Sequence, residues 1–156
     1  MRLPRSWSAL VIGLAFLALP GAACSPATAQ SRFENWTTGI IAADWRDGRG
    51  QPITAFDNAL RDLQSGFESA GLPAASMVAV SLNPFAEDPS TGPQALARFA
   101  TQTRQANAGC LLYLTSHGSP EAIVFGPQSE LTPAALATTL RQTCTDRPTI
   151  LIVSAC

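Results

Sequence analysis

Cysteine and histidine are the side chains in this sequence best suited to covalent chemistry, and the chain holds four of the first and one of the second. They are Cys24, Cys110, Cys144, Cys156 and His117. A thiol near neutral pH is only a few per cent thiolate, and an imidazole beside it raises that fraction by accepting the proton or by stabilising the anion as imidazolium. Cys156 served by His117 would make a nucleophile and its base. Gly118, directly after the histidine, adds a third part: a residue without a side chain lets backbone N–H groups approach a substrate carbonyl, as an oxyanion hole requires. Ser116, Ser119 and Ser154 lie outside any G-x-S-x-G elbow, which sets a serine hydrolase aside. One histidine and no C-x-x-C leave too few ligands for zinc, so neither metal nor cofactor is expected.

Which cysteine is free depends on the compartment. Arg2 and Arg5 precede an apolar run over 9–19, too short for a comfortable membrane span, and Pro20 and Gly21 end it before a small-residue stretch. Residues 1–29 therefore read as a signal peptide, with Ala27-Thr28-Ala29 before Gln30 as the cleavage site. Gly21-Ala22-Ala23 before Cys24 is the alternative, a lipoprotein box that would make Cys24 the lipidated residue and tie the protein to a membrane. Either way the chain is exported, to the periplasm or beyond, where paired thiols persist. Cys110 begins one apolar run and Cys144 precedes another, so parallel strands would bring them to one edge, where they would pair. Cys156 is then the odd thiol, free for chemistry. The plainer alternative is that all three are buried, inert small hydrophobes.

Residues 30–156 are the length of one domain. Without Arg2 and Arg5 the formal charge goes from −1 to −3, and the remaining arginines are scattered among acids. No basic block points to nucleic acid or to an anionic membrane surface.

Apolar runs alternate with helical patterns, the signature of an α/β domain with a parallel sheet flanked by helices. Strands are expected at 38–43, 77–82, 110–115 and 148–154, with a short extended piece at 122–125. Helices are expected at 56–70, at 94–106, and from an N-cap at Thr132 with Pro133 at N1 to about Cys144. Asp44, Asn83, His117 and Cys156 then all fall just past the carboxyl ends of strands, the edge where open α/β sheets bind ligands. If the strands ending before His117 and Cys156 are neighbours, their ends stand about 4.8 Å apart.

These residues resemble the legumain-type cysteine peptidases, which share the caspase fold, and in particular their exported bacterial branch. The likeness lies in the strand LLYLTS leading to His117-Gly118 and in the strand IVS leading to Ala155-Cys156. The stretches 40–44 with 56–63, 121–126 and 131–140 are also similar. The resemblance implies peptide-bond hydrolysis of a peptide or protein substrate. His117 would be general base and acid, Cys156 the acylated nucleophile, and the backbone N–H groups of Gly118 and Cys156 the oxyanion donors. Legumains carry a specificity arginine near the start of the first helix, where this sequence has Ala55, so preference for asparagine does not carry over. The family also continues past its nucleophile with strands that build the substrate pocket. The resemblance thus implies a domain incomplete at its C-terminus and inactive as this piece. Two alternatives stand beside the enzyme: a non-catalytic caspase-fold envelope protein acting as a binding module, and an inert truncation product.

Overall fold

The computed structural model describes residues 32–106 and 108–155. The expected signal peptide with Cys24, and Cys156, lie outside the described residues. Strand β1 (Trp36–Ala42) is followed by helix α1 (Ala55–Ser69), strand β2 (Met77–Ser81), helix α2 (Gly92–Thr103) and strand β3 (Gly109–Thr115). A hairpin of β4 (Ile123–Val124) and β5 (Glu130–Leu131) leads into α3 (Pro133–Cys144) and then β6 (Thr149–Ser154). The main sheet has the order β2-β1-β3-β6 and is parallel throughout.

β1 and β3 are the inner strands, and their runs of apolar residues are what a strand covered on both faces needs. On one face Phe99 of α2 packs over Gly39 and Leu112. Gly39 is required there, because a methyl group at its position would meet the Phe99 ring at 2.7 Å. Ile41, Val80, Leu82, Leu114 and Leu136 complete this core. On the other face α1 lies across the sheet, with Phe67 edge-on to Tyr113 at 6.2 Å. β6 closes the sheet on one side with Ile150, Leu151, Ile152 and Val153 all exposed, by 37 to 43%.

The elements follow the sequence reading with shifted ends: β1 begins at Trp36, two residues early, and α2 ends at Thr103, three residues early. α2 begins at Gly92, two residues earlier than expected, because Thr91 and Gln94 form a capping box in which each side chain takes up the other's backbone N–H. The extended piece at 122–125 is half of a hairpin, turned at Gly126 with φ +91°.

The amino-terminal end of β3 is fastened twice. A disulfide joins Cys110 to Cys144 at the end of α3, with a Cα–Cα distance of 6.0 Å. In the chain-entropy account, a loop of that length stabilises by about 4 kcal/mol. Beside it Arg147 donates to the carbonyls of Thr103, the last residue of α2, of Ala106 just beyond it, and of Thr143 and Cys144 at the end of α3. One guanidinium thus satisfies the last carbonyls of two helices and sits at the negative ends of both dipoles. Replacing Arg147 with Ala takes the side-chain donor from the Thr103 and Ala106 carbonyls, while the Thr143 and Cys144 carbonyls keep the Thr103 and Thr145 hydroxyls, and is expected to cost about 2 to 3 kcal/mol, read as a lower urea midpoint. A midpoint equal to the parent's would contradict this role.

Candidate active site at the carboxyl edge of the sheet

The register of β3 with β6 decides what meets at the carboxyl edge. Thr115 is level with Ser154, and the ladder runs one step further, with the Ser116 N–H donating to the Ser154 carbonyl at 3.1 Å. Gly118 then lies against Ala155: a methyl group on Gly118 would meet the Ala155 Cβ at 3.2 Å and the Ala122 carbonyl at 3.4 Å. The His-Gly pair after β3 and the residue that precedes Cys156 are therefore neighbours.

His117 is half-buried and held from three directions. Its own carbonyl accepts from the Val124 N–H at 2.9 Å, which anchors the backbone to the hairpin. The ring stands edge-on to Phe56 in the first turn of α1, with centroids 5.2 Å apart and planes at 84°. Its Nε2 lies 2.9 Å from the Arg46 carbonyl. A carbonyl only accepts, so this bond assigns the neutral imidazole's proton to Nε2 and leaves Nδ1 with a lone pair for a thiol proton.

Gly118 pairs with Ile123 in an isolated antiparallel bridge. The hydrogen bonds of that bridge belong to its flanks, Val124 to His117 and Ser119 to Ala122. The Gly118 N–H has no hydrogen-bond partner among the described residues. A backbone donor without a partner beside a general base is what an oxyanion site needs.

The Arg46 carbonyl belongs to a tight loop after β1. Within it the Asp47 N–H bonds the Gln51 carbonyl at 2.7 Å, the Asp47 carboxylate takes the N–H groups of Arg49 and Gln51, and the Ile53 N–H returns to the Trp45 carbonyl at 2.8 Å. Asp44 is buried at its base, paired to Arg46. Asn83 serves the packing of the other edge strand, since with Ser81 it binds the Asp57 carboxylate and ties the end of β2 to α1. Two contributors escaped sequence reasoning. The Arg46 carbonyl is a backbone group, which no residue type announces. Phe56 is the first residue of the helix expected at 56–70, and nothing in the sequence shows that its ring also meets the histidine.

Cys110 and Cys144, bonded to each other, sit at the opposite end of β3. Among the described residues no group of three or more His, Cys, Asp or Glu side chains is disposed to hold a metal ion. A cleft of about 860 Å³ runs past β2 between Gln64 and Gln94 and does not contain the histidine. A smaller apolar cavity of about 280 Å³ begins beside it, at Ser119 and Pro120, and extends between Leu136 of α3 and Leu151 and Val153 of β6.

No family model matches the sequence, and no curated protein does. Among solved structures the chain is similar to caspase-1 from Spodoptera frugiperda, with a TM-score of 0.57 at 11% identity. The match covers 89% of this chain and 54% of that one, so this chain spans about half the length of its structural relative. The fold is caspase-like: a parallel sheet flanked by helices.

The contact between Gly118 and Ala155 gives a direct check. Gly118→Val places two methyl groups where Ala155 and Ile123 stand, which should wedge β6 away from the end of β3. The Ser116 amide is then expected to exchange with solvent about tenfold faster or more, while amides in the first half of β3 keep their rates. Unchanged exchange at Ser116 would show that this end of the sheet is not closely packed.

Proposed function

We propose that this chain carries the catalytic edge of a cysteine peptidase, with His117 as general base and acid and Cys156 as nucleophile. The observation that carries this reading is the His117 ring, its Nε2 2.9 Å from the Arg46 carbonyl, at the end of β3 where the neighbouring strand β6 ends two residues before the cysteine. The reading requires that Cys156 continue the alternation of Ile152 and Ser154, which would turn its thiol to the face that bears the imidazole.

In the first step Nδ1 of His117 takes the thiol proton and the thiolate attacks the scissile carbonyl. The oxygen of the tetrahedral adduct accepts from the N–H groups of Gly118 and Cys156. As the carbon–nitrogen bond breaks, the imidazolium returns the proton from Nδ1 to the leaving amine, and an acyl group remains on sulfur. Water, deprotonated by the same nitrogen, then attacks the thioester. The acid departs and the thiolate is free to be reprotonated. Throughout, the Arg46 carbonyl accepts from Nε2, so it keeps the ring from turning and stabilises the imidazolium. The legumain-type assignment rests on the two strand-end pairs, His117-Gly118 and Ala155-Cys156, and on export, which fits a disulfide at Cys110 and Cys144.

The substrate is a peptide or protein. The test uses a chain extended to the length of a complete domain. Cys156→Ala is expected to abolish both peptide hydrolysis and labelling by a peptidyl acyloxymethyl ketone. His117→Ala should lower kcat/KM by roughly two to four orders of magnitude, the size of a general acid–base contribution. Hydrolysis by Cys156→Ala at the parent's rate would sink the peptidase and leave a binding module on the same fold.

A further inference from the structure

Asp44 is the one charged side chain buried among the described residues, at 2% exposure. A carboxylate in such a place is costly unless its oxygens are taken up by donors. Here they are, and all the donors come from the next two residues. Oδ1 accepts from the Trp45 N–H at 2.8 Å, from the Arg46 N–H at 3.2 Å and from the Arg46 Nε at 2.9 Å, while Oδ2 faces the Arg46 guanidinium at 3.4 Å. The Arg46 guanidinium lies in turn over the Trp45 ring, 4.6 Å from its centroid. A side-chain oxygen that gathers the N–H groups just ahead of it forces the chain into a turn, so the path on leaving β1 is set by this carboxylate. That turn ends at the carbonyl of Arg46, the acceptor for His117 Nε2. None of the peptidase steps uses Asp44 directly.

We propose that Asp44 is a positioning residue for His117. Through the Arg46 carbonyl it holds the ring in one orientation with its proton on Nε2. The catalytic meaning of this role rests on the peptidase reading, but the positioning itself does not. Without the carboxylate the Arg46 carbonyl loses its fixed direction. The imidazole can then turn about its side-chain bonds, sampling states in which Nδ1 carries the proton and cannot act as base.

The chain contains a single histidine, so nitrogen-15 NMR of the histidine-labelled protein gives one pair of ring nitrogens. In the parent, at a pH where the ring is neutral, a protonated Nε2 and an unprotonated Nδ1 are expected, with an Nε2 proton protected from solvent. In Asp44→Ala that proton should exchange about tenfold faster or more, the scale set by losing a buried hydrogen bond, and the nitrogen shifts should move toward the average of the two tautomers. Asp44→Asn keeps one oxygen but loses the charge and the second acceptor, so its exchange rate should lie between the two. Arg147→Ala, destabilising at the opposite end of the sheet, controls for stability alone and should leave the ring signals in place. Parent-like ring signals and exchange in a folded Asp44→Ala protein would overturn the proposal, and if that variant does not fold, the same result in Asp44→Asn does so. These signals come from the ring and not from turnover, so failure of the peptidase reading and failure of the positioning are separate results.

Discussion

The parallel pairing of β3 with β1 on one side and β6 on the other is the constraint from which the arrangement follows. Because β1, β3 and β6 run the same way, their carboxyl ends open onto one edge, and their following residues converge there: Asp44 and Arg46 after β1, His117 and Gly118 after β3, Ala155 after β6. A one-residue slip between β3 and β6 would turn every β6 side chain to the other face and part Gly118 from Ala155. The opposite end of β3 resists such a slip. The Cys110 disulfide and the Arg147 clamp fix the entry into β3 and β6 while the exit edge carries the candidate chemistry.

The two ends of β3 are bonded differently. At the amino end the polar contacts are internal and complete, since Arg147 supplies donors to carbonyls that the helices leave open. At the carboxyl end the bonding is selective. His117 has its Nε2 engaged, and neither its Nδ1 nor the Gly118 N–H has a hydrogen-bond partner among the described residues. Such open valences are tolerable where the edge of the sheet meets solvent. β6 is also exposed along its length and is joined to the sheet by its backbone ladder with β3.

Much of this was legible in the sequence. The alternation of apolar runs and helical patterns gave the parallel α/β class, because a strand buried on both faces reads as an unbroken apolar run, as at Ile40 and Ile41 or Leu111 and Leu112. The position of His117 followed from where its strand ends. The details that escaped have physical reasons. Thr91-Gly92-Pro93-Gln94 carries a capping box inside a stretch rich in loop residues, so composition hid the helix start. The short hairpin strands β4 and β5 are two residues each, below any length at which periodicity speaks. The Arg46 carbonyl is invisible in principle, since its role comes from the direction in which Asp44 turns the chain and not from the arginine side chain.

Whether the imidazole of His117 and the thiol of Cys156 act on one another can be measured on this chain without a substrate. The rate of alkylation at Cys156 by iodoacetamide at neutral pH, followed by mass spectrometry, reports the thiolate available there. With His117 in place that rate should exceed that of His117→Ala by about tenfold or more, while Cys110 and Cys144 remain unmodified in both. Equal rates at Cys156 with and without the imidazole would mean that the two residues do not form a catalytic pair.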